Sequence, residues 1–368
     1  MTAPGRFTVA HAAGAHWGAA AKACLDGVAA AAADATLGIL YATEAFAEDL
    51  PSVLTFLRET TRIPHWIGAA APGICAGDTE YRDGGALAVM VGRLPAESFS
   101  FFSQADGAVP PPAGWGAALV HADPRHAAVP SLVAELAGQA AIVAGGLVSS
   151  TDQPTQIADS LVGGALSGLL LRPEVAVVTG LSQGCSPIGP IHTVTEAWHG
   201  VVMQLDGRPA LDVLKEEAGE LVARDLRRAA GYIHVALPGS EGDGHDYLVR
   251  SLVGIDQRQG WLAVGDRIEV GQRLMLVRRD SNGARADLRR MLDGVRHALD
   301  GRPPLAALYV TCVARGIHMF GEHGAETELV EAALGGAPLI GFFANGEIAG
   351  GRLYAYTGVL LVIAGPRP

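Results

Sequence analysis

The sequence predicts an α/β (α+β) fold in two domains: duplicated strand–helix units form mixed sheets that pack together, with helices outside. Three observations carry this. The stretch "HWIGAAAPGICAGDTEYRDGGALAVMVG" (His65–Gly92) lies on "PLIGFFANGEIAGGRLYAYTGVLLVIAG" (Pro338–Gly365) without a gap. Gly68, Gly73, Gly77, Gly85 and Gly92 then meet Gly341, Gly346, Gly350, Gly358 and Gly365, and Tyr81 meets Tyr354. Glycines sharing one register mark places where the backbone needs positive φ or close approach, and an internal repeat of this kind decides an architecture. Next, "GALAVMVG" and "GVLLVIAG" are almost unbroken apolar runs, the pattern of strands buried on both faces. Finally, "EDLPSVLTFLRETT" and "AETELVEAAL" set apolar residues three and four apart, as helices with one buried face do.

Taken in chain order, "LGILYAT" (Leu37–Thr43) opens the first copy as a strand, and "LAALYVT" (Leu305–Thr311) opens the second. Between the copies, "GWGAALVHADP" reads as a strand ending in a turn, followed by the helix "RHAAVPSLVAELA". Further strands follow in "AAIVAGGLVSS" and "GGALSGLLLRPEVAVVTGLSQG". The stretch Ala210–Gly231 is spaced as a helix with one apolar face, and the domain boundary is placed near its end, giving domains 1–225 and 226–368. Ser240–Asp246 is a polar, glycine-rich loop. Gly260–Asp280 reads as two strands joined by a turn, and "ADLRRMLDGVRHAL" as an amphipathic helix.

Composition narrows the function. The 368 residues allow two domains, and 49% hydrophobic residues fill a large core. Net charge is −11, from 27 Lys and Arg against 38 Asp and Glu, with lysine only at Lys22 and Lys215. A net-acidic chain without a basic block argues against nucleic acid and against anionic membranes as partners. No stretch reaches the roughly 18–20 apolar residues of a membrane span. The first residues lack a basic-then-apolar signal pattern, so the expected location is the cytoplasm. Cys24, Cys75, Cys185 and Cys312 lie far apart and form no CxxC, which argues for free, buried thiols over a zinc site or a disulfide framework. His318 and His323, five apart around Phe320, give weak support for metal. "GGALSGLLL" lacks the GK[ST] end of a phosphate loop and "GLVSS" lacks dinucleotide glycine spacing. No metal and no cofactor is expected.

The loop "LSQGCSPIGP" (Leu181–Pro190) sets Cys185 among residues chosen for backbone shape. A nucleophilic reading needs a base, and His192 is the nearest candidate. Pro187 and Pro190 prevent a helix from starting at once, so Cys185 reads as a pocket-lining thiol at a strand end. The backbone N–H groups of "SQGCS" form a possible anion-receiving nest. Arg315 in "ARG" and Glu347 in "NGE" sit beside glycine turns after core strands. An arginine fork receives a carboxylate and a glutamate an ammonium, so the pair suits both ends of an amino acid. The alternative is that they pair with each other or face water. The register sets Glu347 opposite Ile74 of the first copy, so the two copies differ there. Phe320, Phe342 and Phe343 read most simply as core, with the floor of a pocket as the alternative for one of them. The ligand-binding candidates are Ser182, Gln183, Gly184, Cys185, Thr195, Cys312, Arg315, Asn345 and Glu347; no residue is assigned a catalytic role.

Several stretches together resemble the FIST family. "GLSQGCSPIGPIHTVTEAWHGVVMQLDGRPALDVL" resembles the signature of its amino-terminal domain, and "YVTCVARGIHMFG" with "PLIGFFANGEI" that of its carboxy-terminal domain. The similarity runs from about Leu37 to near the end. One departure is Ser186, where the family usually has an arginine or lysine before the loop's proline. The resemblance implies a cytoplasmic sensory domain for a small molecule such as an amino acid, and no enzyme. With no output domain in this chain, the signal would pass to a separate protein such as a kinase or cyclase. A cysteine-dependent enzyme using Cys185 and a ligand-free interaction scaffold are the alternatives.

Overall fold

A computed structural model describes residues 5–104, 112–219, 226, 231–239 and 246–367. The boundary at 225 and most of the Ser240–Asp246 loop lie outside the described residues. So does residue 220 onward of the Ala210–Gly231 helix, apart from 226 and Gly231 itself.

In chain order the first unit begins with β1 (Phe7–Ala13), α1 (Trp17–Ala32), β2 (Leu37–Thr43), α2 (Leu50–Thr61), β3 (His65–Ala71), β4 (Gly73–Ala76), β5 (Thr79–Tyr81) and β6 (Ala86–Gly92). It continues with β7 (Phe99–Gln104), β8 (Trp115–Ala122), α3 (Val129–Leu136), β9 (Ala140–Leu147), β10 (Gln156–Ala158), β11 (Ser160–Val162), β12 (Leu166–Leu171) and β13 (Val177–Ser182). The chain then forms a second compact unit, residues 183–287. That unit holds β14 (Cys185–Pro187), β15 (His192–Trp198), β16 (Val201–Leu205), β17 (Arg208–Pro209), α4 (Ala210–Ala218), β18 (Ile233–Pro238), β19 (Tyr247–Asp256), β20 (Trp261–Val264) and β21 (Arg273–Arg279). After α5 (Ser281–Leu299) the first unit resumes with β22 (Pro304–Cys312), α6 (Ile317–Phe320), α7 (Ala325–Ala333), β23 (Leu339–Ala344), β24 (Glu347–Ala349), β25 (Arg352–Tyr354) and β26 (Gly358–Ala364).

The two copies read from the glycine register have the same strands in the same places, β3–β6 on β23–β26. The repeat, however, is threefold. Sheets β1-β6-β2-β3-β10-β11, β7-β12-β8-β9-β24-β25 and β13-β26-β22-β23-β4-β5 share one plan, each with a single parallel pair: β2/β3, β8/β9 and β22/β23. The short hairpin of every repeat crosses to another repeat's sheet: β4-β5 joins β23, β24-β25 joins β9, and β10-β11 joins β3. One glycine recurs at the parallel seam of all three. A Cβ on Gly68, Gly145 or Gly341 would stand 1.8, 1.9 or 1.8 Å from a carbonyl oxygen of the partner strand. At the hairpin turn, however, Gly77 (φ 56°) and Gly350 (φ 52°) correspond to Asp159 (φ 61°), since aspartate tolerates the left-handed region. The middle copy thus keeps the conformation while losing the letter.

The upstream match needs one correction. "LGILYAT" on "LAALYVT" pairs Tyr41 with Tyr309 by letter, but Tyr41 lies in the central core with Ile39, whereas in β22 it is Leu308 and Val310 that do so. A slip of one residue reverses a strand's faces, and Tyr309 turns to the other face. The inner faces of all three sheets fill that core, where rings from the three repeats meet: Tyr41, His121 and Phe342 lie 4.9–5.7 Å apart. On the outer faces, α1 and α2 cover the first sheet, with Cys24, Val28, Leu50 and Leu57 buried, and α3 covers the second. Every residue of β6 and β26 is buried, as runs covered on both sides must be.

The second unit is a small antiparallel barrel, closed in the order β21-β15-β16-β20-β19-β18 and back to β21. Leu211, Val213 and Leu214 of α4 belong to its core. The two strands within Gly260–Asp280 are both present but do not pair with each other. β20 lies between β16 and β19, and β21 between β15 and β18.

Candidate functional site

Among the described residues of the first unit, the charged side chains with 0% exposure, Arg315, Glu326 and Glu347, all lie in its third repeat. Past β22, the Arg315 N–H bonds to Cys312 O at 2.9 Å, and Gly316 (φ 64°) starts the short helix α6. A side chain at 316 would be strained by the positive φ and would have to displace Arg82 Nη1, 2.5 Å from its Cβ. Arg82, from the first repeat, donates to the carbonyls of Arg315 and Val313 and lies over the Phe343 ring. This tight turn drives the Arg315 side chain inward, to 0% exposure.

Its partner is Glu326, also 0% exposed. Arg315 Nε and Nη2 both lie 2.7 Å from Glu326 Oε1. Tyr309 Oη donates to the same oxygen at 2.6 Å, Thr311 Oγ1 reaches the carboxylate at 3.2 Å, and the Gly316 N–H donates to Oε2 at 3.3 Å. Arg315 Nη1 donates to the carbonyls of Ser182 and Tyr356, and Nη2 to Ser182 Oγ, each at 3.4 Å. Burial disfavours the guanidinium charge, but the Glu326 charge and hydrogen bonds outweigh it, so Arg315 stays ionised. Glu326 stands in the first turn of α7, where the helix dipole favours an anion.

Glu347 is the second buried acid. Its Oε2 accepts from Thr357 N–H at 3.1 Å and Oγ1 at 2.8 Å, while Oε1 has no hydrogen-bond partner. Burial pushes its pKa up to about 8, only partly offset by Thr357 and by the charge of Arg315. Cys312 is its neighbour, and burial followed by the Glu347 charge pushes that thiol up to about 12. A third acid, Glu80, has both oxygens buried, and burial with the Glu326 charge pushes it up to about 7 against the opposing Gly324 N–H and Arg82 charge.

Ser182, Cys312, Arg315 and Glu347 therefore contribute to one buried region, and the arginine pairs with Glu326 instead of Glu347 and is shut off from solvent. Asn345 is exposed in the turn between β23 and β24. In the barrel unit, the Gln183 N–H donates to the carboxylate of Asp287 at 2.6 Å, so an anion of the chain itself occupies that part of the SQGCS loop. Gln183 Nε2 donates to Tyr247 O, and Tyr247 Oη to Cys185 O. Gly184 is buried and Cys185 is 4% exposed, paired with Arg279 across β14 and β21. Thr195 is exposed and accepts the Gly207 N–H at 2.9 Å, tying β15 to the turn between β16 and β17. His192 commits both ring nitrogens to carboxylates, Nδ1 to Asp206 and Nε2 to Glu217, each at 2.6 Å. It is therefore no base for Cys185. Among the described residues no group of three histidine, cysteine or acidic side chains could hold a metal ion, and no helix is long and apolar enough to cross a membrane.

Sequence reasoning missed Glu326, Glu80 and Arg82. For Glu326 a signal existed: it precedes Val330 and Leu334 by four and eight residues, which puts a charge on the apolar face of α7. Nothing local marks Glu80 or Arg82, because their hairpin belongs to a distant repeat's sheet.

Comparison with known proteins agrees with these motifs. Residues 36–208 match the FIST N domain and residues 210–350 the FIST C domain, the two meeting inside the barrel unit. The chain is 32% identical over 345 residues to the uncharacterized protein Rv0628c of Mycobacterium tuberculosis (strain ATCC 25618 / H37Rv), covering 85% of this chain and 86% of the relative. It is 30% identical over 346 residues to the uncharacterized protein Mb0898c of Mycobacterium bovis (strain ATCC BAA-935 / AF2122/97), covering 85% of each. With both domains present in order, the chain belongs to the FIST family.

Proposed function

We propose that this protein is a cytoplasmic small-ligand sensor that binds an amino acid or similar zwitterion and signals to a separate output protein such as a kinase or cyclase. One observation carries the reading: of three repeats with the same plan, one alone buries an arginine–carboxylate pair with a second acid beside it. At the hairpin position of Glu347, opposite Gly146, the other repeats have Ile74 and Gln156. In its first turn α7 buries Glu326, whereas the buried residues of α2 and α3 include no charged side chain. The fold therefore works without these charges, and burying them costs several kcal/mol per ion before pairing.

In this reading Glu326 stands in for the ligand carboxylate on Arg315. A ligand exchanges its own carboxylate for that of Glu326 and sets its ammonium on the unused Oε1 of Glu347. Releasing Glu326 frees the start of α7, and that is the signal. Cys185 has no catalytic part.

The test is calorimetry of the amino acids in buffers of different ionisation enthalpy. A carboxyl with a pKa of about 8 is about nine-tenths protonated at pH 7, so an ammonium ligand should expel close to one proton. Glu347→Gln should abolish that release and weaken ammonium-bearing ligands more than simple carboxylic acids. Binding without proton release and indifferent to Glu347→Gln would overturn the assignment. Burst labelling of Cys185 by iodoacetamide at neutral pH, far ahead of Cys24 and Cys75, would favour thiol chemistry instead.

A further inference from the structure

The threefold plan exposes a difference between its seams. Phe7 and Phe99 both open an edge strand and both pair with the last residue of the closing strand, Gly92 and Leu171. Against Phe99 and Phe101 the seam is filled by His65, the first residue of β3, with ring centroids 5.4 and 5.9 Å away. The glycine register sets Pro338 in the place of His65, facing the edge strand that starts at Phe7. There Gly335, Gly336, Ala337 and Pro338 leave an open groove of about 1020 Å³ within the first unit.

Five consecutive residues, Gly5–Val9, line this groove. Of these, Phe7, Thr8 and Val9 are strand residues. Because side chains alternate between the faces of a strand, a cavity touching three in turn lies along its edge. Gly5, ahead of the strand, gives its N–H to Arg93 O. β1 ends its sheet, with β6 as its one neighbour among the described residues. The Gly14 N–H bonds to Gly85 O in the β1/β6 register. Hydrogen-bonded and non-bonded pairs alternate in an antiparallel ladder, so even-numbered residues face β6. Phe7 and Val9 therefore turn their N–H and C=O groups toward the groove. Two cations and two anions also line it, Arg6 and Arg93 with Asp34 and Glu331. None of the four makes an ion pair or side-chain hydrogen bond among the described residues, so these charges are uncommitted.

We propose that this groove takes an extended peptide segment of a separate protein, added as a strand beside β1, with an acidic group at Arg6 and Arg93 and a basic side chain at Asp34 and Glu331. Unpaired main-chain groups on an edge strand supply the hydrogen bonds of such a mode, and the flanking charges its specificity. Three strand residues at about 3.3 Å each give a seat of roughly 10 Å along the edge. A free amino acid would leave most of it empty. The proposal is independent of the buried Arg315 network and concerns a different face of the same unit.

The probe is a fluorescent heptapeptide library in which valine, isoleucine or threonine alternates with aspartate, glutamate, lysine or arginine. Members that bind the full chain should lose at least tenfold in affinity to the Arg6→Ala, Arg93→Ala double variant, whose exposed side chains carry no contact the fold needs. Methylating alternate backbone nitrogens of a binding peptide should cost at least tenfold in one register and little in the other, and the Val9 amide should exchange more slowly when peptide is bound. Glu347→Gln should leave all of this unchanged, which separates failure here from failure of the sensing reading. The proposal is overturned if no library member binds, if both methylation registers bind as well as the parent peptide, or if a free amino acid alone protects Val9 and displaces the peptides.

Discussion

Replacing Glu347 by glutamine tests whether the third repeat holds a neutral acid. The Glu347 carboxyl is buried and pushed from 4.5 up to about 8. Below pH 4.5 both folded and unfolded chains hold this proton, and the acid costs no stability. Between 4.5 and 8 the unfolded chain loses the proton while the folded one retains it, so stability falls as pH rises. Above 8 the whole penalty is present. A shift of 8 − 4.5 = 3.5, at about 1.4 kcal/mol for each pH unit, comes to about 5 kcal/mol. That is a large share of the roughly 5–15 kcal/mol by which a domain is stable. Glutamine keeps an acceptor for Thr357 but does not titrate, so its own cost is independent of pH. Urea denaturation from pH 5 to 9, read by hydrogen exchange in β22–β24, should show the parent losing stability across this range and Glu347→Gln losing much less. Some slope will persist in the variant up to about pH 7, because Glu80 is also raised by burial and by Glu326. Equal slopes in the two proteins would mean that Glu347 ionises as an ordinary carboxyl, and the proton-release mechanism would fall with it.

Arg315→Met should destabilise the first unit by about 3–5 kcal/mol, because Glu326 is left buried without its cation. Adding Glu326→Leu should recover most of that loss in thermal denaturation; a double variant as unstable as the single one would show that the network supports the fold. Gly145→Ala sets a Cβ 1.9 Å from Val120 O, a contact a main-chain carbonyl cannot yield. Its melting temperature should fall well below that of Gly163→Ala, where nothing lies within 4 Å, and equal values would contradict the seam geometry. In the barrel, burial lowers the His192 pKa, but Asp206 and Glu217 outweigh it and hold it above 6.5. The stability this contributes is full below pH 6.5 and lost as pH rises through the folded pKa. An NMR titration should place the His192 midpoint above 6.5, and a midpoint at or below that value would rule the pairing out.

The amino-acid sequence by itself determined the local elements and one clear repeat. Apolar runs such as Gly85–Gly92 and Gly358–Gly365 can only be strands covered on both faces, and five glycines in register tie them together without any tertiary information. The motifs around Cys185, Arg315 and Glu347 were enough for the family. Tertiary structure decided the rest, because the remaining relations are between residues distant in the chain. The middle repeat kept the left-handed turn with Asp159 in place of glycine, a substitution the backbone accepts and a search for glycines passes over. Tyr41 and Tyr309 look alike in sequence yet face opposite sides of their sheets, since a period of two turns one residue of slip into a reversal. The partner of Arg315 was settled by which of several carboxylates the Gly316 turn and the start of α7 bring within 2.7 Å, a matter of packing and not of composition. The exchange of hairpins among the three sheets has no local signature, since β4, β10 and β24 are three- or four-residue strands whose pairing partners lie in other repeats.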